Sequence, residues 1–280
     1  MPAHQSVPFV FNSPHSGRHY AAEFLKQSRL DQISIRKSED AYVEELFACA
    51  PSLGAPLLAA NFPRAWLDVN REPWELDPRM FDDPVPSFAN TRSARVAGGL
   101  GTIPRLVGEG LEIYHSRLRL SEALMRIEQA YKPYHECLQR LLAHTHGRFG
   151  AAILVDCHSM PANIRATEGG EKPDFIIGDR FGTSASLQLS ERAMKLLRSM
   201  GYTVTHNKPY AGGFITEHYG RPDKGLHAIQ IEVNRSLYMD ERTYHKQSGF
   251  SALCEDLGSF CRELMKFTAS ELGDMPLAAE

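Results

Sequence analysis

One short run constrains this chain more than anything else in it: residues 151–155 read AAILV, with no polar side chain among them. Successive side chains of a strand point to opposite faces, so a wholly apolar strand has to be covered on both. That is the condition of a strand inside a mostly parallel sheet with helices on either side. The rest of the chain agrees. Residues 7–11 (VPFVF), 56–60, 65–69, 175–177, 202–205 and 227–233 (HAIQIEV) are further strand-like runs. Residues 41–50, 114–145, 184–200 and 249–272 place apolar side chains at helical spacing between them. Ser184 reads as an N-cap, Gly201 as a helix stop and Pro133 as a kink. This alternation predicts an α/β chain: one three-layer α/β/α domain over residues 1–280, with a mostly parallel, mixed sheet.

Composition permits that core and narrows the function. Hydrophobic residues make up 42% and charged residues 23%, so a buried interior is expected and disorder is not. The formal charge of −3 comes without long runs of either sign, which leaves no electrostatic grip on nucleic acid or an anionic membrane. No apolar run approaches the roughly 18 to 20 residues that span a bilayer, and the first residues do not read as a signal peptide. Five scattered cysteines without a C-x-x-C pair favour a reducing compartment. The expectation is a soluble, cytoplasmic protein acting on a small molecule.

The polar residues of interest follow apolar strands, where ligands of open α/β sheets bind. Asn12-Ser13-Pro14-His15-Ser16-Gly17 follows the first strand, and Asp156-Cys157-His158-Ser159 follows AAILV. Two histidines so placed suit a metal such as zinc. Asp156 either orients a nearby imidazole or caps the loop. Ser38-Glu39-Asp40 reads first as the cap of the next helix and otherwise as a carboxylate ligand. Asp68-Val69-Asn70-Arg71 offers a fork for a substrate carboxylate or a surface salt bridge, and Arg64 lies one short strand upstream. Glu232 sits inside an apolar strand, as a general base or as a structural partner of Arg235. Residues 210–220 (YAGGFITEHYG), with a glycine pair and His218, suggest a loop closing over a site. Residues 71–110, rich in proline and glycine, read as a long irregular connection of the kind that often carries function.

Taken together, the segments SPHSG (13–17), SED (38–40), R-x-x-L-D-V-N-R (64–71), DCHS (156–159), GGFITEHYG (212–220) and IQIEVNRSLYMDE (229–241) resemble the N-formylglutamate amidohydrolase family in order and spacing. That family is similar to the zinc exopeptidases, which implies a phosphorylase/hydrolase-like, zinc exopeptidase-like fold. The resemblance implies one zinc ion per chain, held by His15, Asp40 and His158. It implies a carboxylate clamp at Asn70 and Arg71 and a late-strand glutamate at Glu232. In the reaction expected from such a site, Glu232 is the general base and Arg64 or His218 helps to stabilise the oxyanion. The implied reaction is hydrolysis of N-formyl-L-glutamate to formate and glutamate, in histidine degradation. Zinc exopeptidases place the acidic ligand three residues after the first histidine; here that position is Arg18. The resemblance moves the ligand to Asp40, with Glu39 and His19 as competitors. Two rivals remain: a related deacylase or carboxypeptidase with another N-acyl amino acid or small peptide, and a metal-free carboxylate-binding protein.

Overall fold

The structure, a computed structural model, describes residues 1–108, 110–164 and 172–267. In chain order the strands are β1 (Phe9–Ser13), β2 (Leu57–Ala59), β3 (Leu106–Val107), β4 (Leu111–Glu112), β5 (Ala152–Met160), β6 (Phe175–Gly178), β7 (Val204–His206) and β8 (Leu226–Asn234). The helices are α1 (Ala22–Gln27), α2 (Val43–Leu46), α3 (Ala94–Ala97), α4 (Leu120–Arg126), α5 (Lys132–Phe149), α6 (Leu187–Ser199), α7 (Phe214–Tyr219) and α8 (Gly249–Leu264). None of them is long and apolar enough to cross a membrane. By internal contacts the chain groups into two compact units: Met1–Ser13, Tyr42–Leu58 and Gln139–Glu280, which carries the large sheet, and Pro14–Ala41 with Ala59–Leu138.

The sheet has the order β2-β1-β5-β8-β6-β7. β5 pairs in parallel with β1 on one side and β8 on the other; β6 runs antiparallel to β8 and parallel to β7. This is the expected mixed, mostly parallel α/β sheet with flanking helices. Every residue of β5 is buried, and because alternate residues face opposite ways, both faces must be covered. Phe9 and Phe11 of β1 and Phe175 of β6 are fully buried; each such side chain contributes about 1.5–3 kcal/mol by leaving water.

β5 runs further than its apolar half suggests. It keeps pairing with β8 through nine positions, from Ala152 opposite Leu226 to Met160 opposite Asn234. Asp156 and His158 therefore sit on the strand itself, not in a loop after it.

Local differences have local causes. Residues 65–69 form no strand: the N–H groups of Trp66 and Leu67 both turn back to the Pro63 carbonyl, at 3.0 and 3.3 Å. The helix expected over 41–50 cannot begin before Val43, because Tyr42 lies in the left-handed region at φ 66°. α6 is capped by Ser186, whose Oγ accepts from the Leu189 N–H at 3.4 Å, since the Ser184 hydroxyl is committed to the Ala228 carbonyl at 2.8 Å. Gly201 stops the same helix at φ +93°. The long helix expected from 114 starts at Leu120 and passes through a π-helical turn, Ile127–Tyr131, just before Pro133. A proline donates no hydrogen bond to the preceding turn, and the widened turn accommodates that loss. Residues 210–220 hold a helix, α7, rather than a loop. Residues 268–272 of the last expected helix lie outside the described residues.

Candidate active site

The sheet unit carries a compact polar patch on one face. Register places Asn12 of β1 beside Asp156 of β5, Asp156 beside Gln230 of β8, and His158 beside Glu232. On a strand, residues two apart share a face, so Asp156 with His158 and Gln230 with Glu232 form two side-by-side pairs. Each pair is bonded internally. Asp156 Oδ2 lies 2.9 Å from His158 Nε2, and Gln230 Nε2 donates to Glu232 Oε1 at 2.8 Å. The other Asp156 oxygen accepts from Asn12 Nδ2 at 2.7 Å. All are buried, Glu232 with 8% of its surface exposed and Gln230 with 5%. Buried charges persist only where they are paired or hydrogen-bonded, and this patch meets that requirement. Asp156 thus orients an imidazole rather than capping a loop. Arg235 directs Nε to Ser159 Oγ at 3.0 Å and Nη1 toward Glu241 at 3.4 Å.

The second unit carries a cluster built on turns. Gly17 lets the 14–19 segment run against the chain at Phe62: a Cβ there would lie 2.1 Å from the Phe62 carbonyl oxygen. The backbone N–H of Asp40 donates to the His15 carbonyl at 2.9 Å. That single bond brings together two residues far apart in sequence, and Asp40 Oδ2 lies 3.4 Å from His15 Nδ1. His15 Nε2 lies 2.7 Å from Asp68 Oδ1. Asp68 also accepts from Arg64 Nε at 2.9 Å and from the Asn70 N–H at 2.9 Å, and Arg71 Nη2 is 3.3 Å away. Burial pushes the Asp68 carboxyl upward, but Arg64, Arg71 and the hydrogen bond with His15 outweigh it and hold it well below the ordinary range. Burial pulls Arg71 down to about 10, so it remains cationic at neutral pH. Its Nε and Nη1 donate to the carbonyls of Leu100 and Asn70 at 2.7 and 2.6 Å.

The competitors of Asp40 are placed elsewhere. Glu39 is gripped by Arg36 through two bonds of 2.9 Å and by the Tyr20 hydroxyl at 3.1 Å. His19 is exposed. His218 is also exposed, on α7, with its ring stacked on Phe214 at 4.9 Å between centroids. Arg64 belongs to the turn-built cluster through Asp68.

His15 and Asp40 of the second unit and His158 of the sheet unit, all three buried, each offer one ligand atom to a metal ion. Two imidazoles and a carboxylate are a donor set suited to zinc. The tautomers fit as well. Asp68, held ionised, is only an acceptor toward His15, so the proton of that ring is on Nε2. Asp156 faces Nε2 of His158 in the same way. In each ring Nδ1 then carries the lone pair that can be given to an ion, and the orienting carboxylate raises its basicity. This cluster could bind a metal. Asp68 and Gln230 were the residues to which sequence reasoning gave no role. Asp68 signals itself by standing four residues after Arg64, and Gln230 by polar residues at period two in an apolar strand.

A family model described as N-formylglutamate amidohydrolase matches residues 7–239. An N-formylglutamate deformylase of Pseudomonas putida is 31% identical over 238 residues, covering 84% of this chain and 83% of that protein. The crystal structure of N-formylglutamate amidohydrolase from Ralstonia eutropha JMP134 is 34% identical with a TM-score of 0.90, covering 96% of each chain. The gene product Atu2144 of Agrobacterium tumefaciens, at 17% identity and a TM-score of 0.66 over 94% of this chain and 90% of that one, shares the fold. These relatives define an amidohydrolase. The chain belongs to the N-formylglutamate amidohydrolase family.

Proposed function

We propose that this protein hydrolyses the amide bond of a small N-acyl amino acid, N-formyl-L-glutamate before others, with one zinc ion held by His15, Asp40 and His158. The products are formate and L-glutamate, and the setting we infer is cytoplasmic histidine degradation. The observation that carries the reading is two buried imidazoles, each ring backed by its own carboxylate, with Asp40 beside the first of them.

When bound, zinc supplies Lewis-acid polarisation and brings the pKa of water toward neutrality. Glu232 takes a proton from the attacking water on a carboxylate oxygen and returns it to the departing amine nitrogen. Its register position beside His158 on a buried strand supports that role. Asn70 and Arg71 hold a substrate carboxylate; the persistent charge of Arg71 supports this assignment. Arg64 or His218 assists the developing oxyanion. Formate release from N-formyl-L-glutamate, measured beside release from N-acetyl amino acids and short peptides, tests the reading. A kcat/KM at least tenfold higher for the formyl substrate is expected; preference for another acyl group discards the named substrate.

A further inference from the structure

β8 and β5 repeat one arrangement. On β5, Asp156 stands two residues before His158 on the same face and bonds its ring at 2.9 Å. On β8, Gln230 stands two residues before Glu232 and bonds its carboxylate at 2.8 Å. The first pair fixes an imidazole. We infer that Gln230 is a positioning residue, fixing the Glu232 carboxylate for proton transfer and tying it to the start of helix α7. This rests on the reading of Glu232 as the base.

Every polar end of Gln230 is engaged. Its Oε1 accepts from the Gly213 N–H at 2.8 Å and lies 3.5 Å from the Thr216 hydroxyl. Its Nε2 donates to Glu232 Oε1. The amide cannot turn over, because a turned amide would set an N–H against the Gly213 N–H and an oxygen against the carboxylate. Gly213 is the residue before the first turn of α7, and Gly212 beside it holds φ +118°. A residue with a side chain is strained in that conformation; the backbone route to the Gly213 N–H depends on it. So the helix fixes the amide, and the amide fixes one oxygen of Glu232. A neutral amide does this without adding a further charge to the buried face, as an arginine or lysine would.

Such a residue acts on kcat. A carboxylate released to other rotamers transfers protons less often, while contacts that bind the substrate elsewhere are unchanged. The test compares Gln230→Met, which removes both bonds, with Gln230→Glu, which keeps an acceptor for the Gly213 N–H and loses the donor. Steady-state formate release, bound metal per chain and Tm are measured for both and for Glu232→Gln. The expected result is kcat lower by about tenfold to a hundredfold in both Gln230 variants, with KM within about threefold and metal content unchanged. If Gln230→Met fails to fold, Gln230→Glu decides. A lowered Tm with unchanged kcat makes Gln230 merely structural and overturns the inference. Full activity in Glu232→Gln overturns the reading of Glu232 itself, a separate failure.

Discussion

The two polar clusters solve one problem with different materials. In the sheet unit, the candidate acting groups sit on neighbouring strands, and the side chains bonded to them stand two residues earlier on the same strand: Asp156 for His158, Gln230 for Glu232. Asn12 and Gln230, two neutral amides, satisfy the carboxylates at little electrostatic cost. In the second unit, residues distant in sequence meet on turns, and charge holds them. Asp68 alone serves His15, Arg64 and Arg71. The contrast teaches that strand geometry orients by spacing, whereas turns need a shared ion.

The largest expected effect separates chemistry from scaffolding. Glu232→Gln keeps the shape of the sheet patch and removes the base, so kcat should fall by about a hundredfold to ten-thousandfold, with the metal retained; elemental analysis beside steady-state assay checks this. Next, Asp68→Asn should cost more stability than Asp156→Asn. It leaves Arg71 buried without its carboxylate, a loss on the order of 3–5 kcal/mol, against about 1–3 kcal/mol for weakening the bonds of Asp156. Urea unfolding of both variants measures the difference; equal losses would break the comparison.

Acid should then strike the sheet unit first. His227 is buried on β8, its Nδ1 accepting from the Ser186 N–H at 3.1 Å. Burial pulls its pKa to about 4, against an ordinary 6.5. The native state therefore refuses a proton that the unfolded state accepts. Stability is full above about pH 6.5 and falls toward pH 4, by up to roughly 3 kcal/mol. Asp68, whose folded pKa is also depressed, stays ionised through that window and loses its contribution only at lower pH. His227→Gln should flatten the stability profile between pH 6.5 and 4 and leave the steeper acid limb. The smallest effect is that of Glu39→Gln, which loosens the Arg36 grip by about 1–2 kcal/mol and leaves bound metal unchanged. Loss of metal would make Glu39, not Asp40, the acidic ligand.

The sheet was legible because a wholly apolar strand admits few environments, and AAILV and HAIQIEV both lie in its centre. The extent of β5 was not. Polar letters at 156 and 158 look like a loop until β8 is known to continue beside both of them. Residues 65–69 misled for the opposite reason: Ala65, Leu67 and Val69 are buried, as a strand's would be, yet turn geometry sets them. α7 is six residues long, too short for a periodic signal, and its flanking glycines read as loop. Among the candidate site residues, His15, Asp40 and His158 stand in short motifs that single them out in the sequence. The bonds from Asp40 to the His15 carbonyl and from Asp68 to the His15 ring join distant segments, and no local pattern announces them.

The most direct test of the central claim is bound zinc per chain, measured by elemental analysis on the wild type and on His15→Ala, Asp40→Ala and His158→Ala, each confirmed folded by its unfolding transition. The account predicts about one equivalent in the wild type and little or none in each variant. A wild type that retains no divalent metal, or variants that keep a full equivalent while folded, would contradict it.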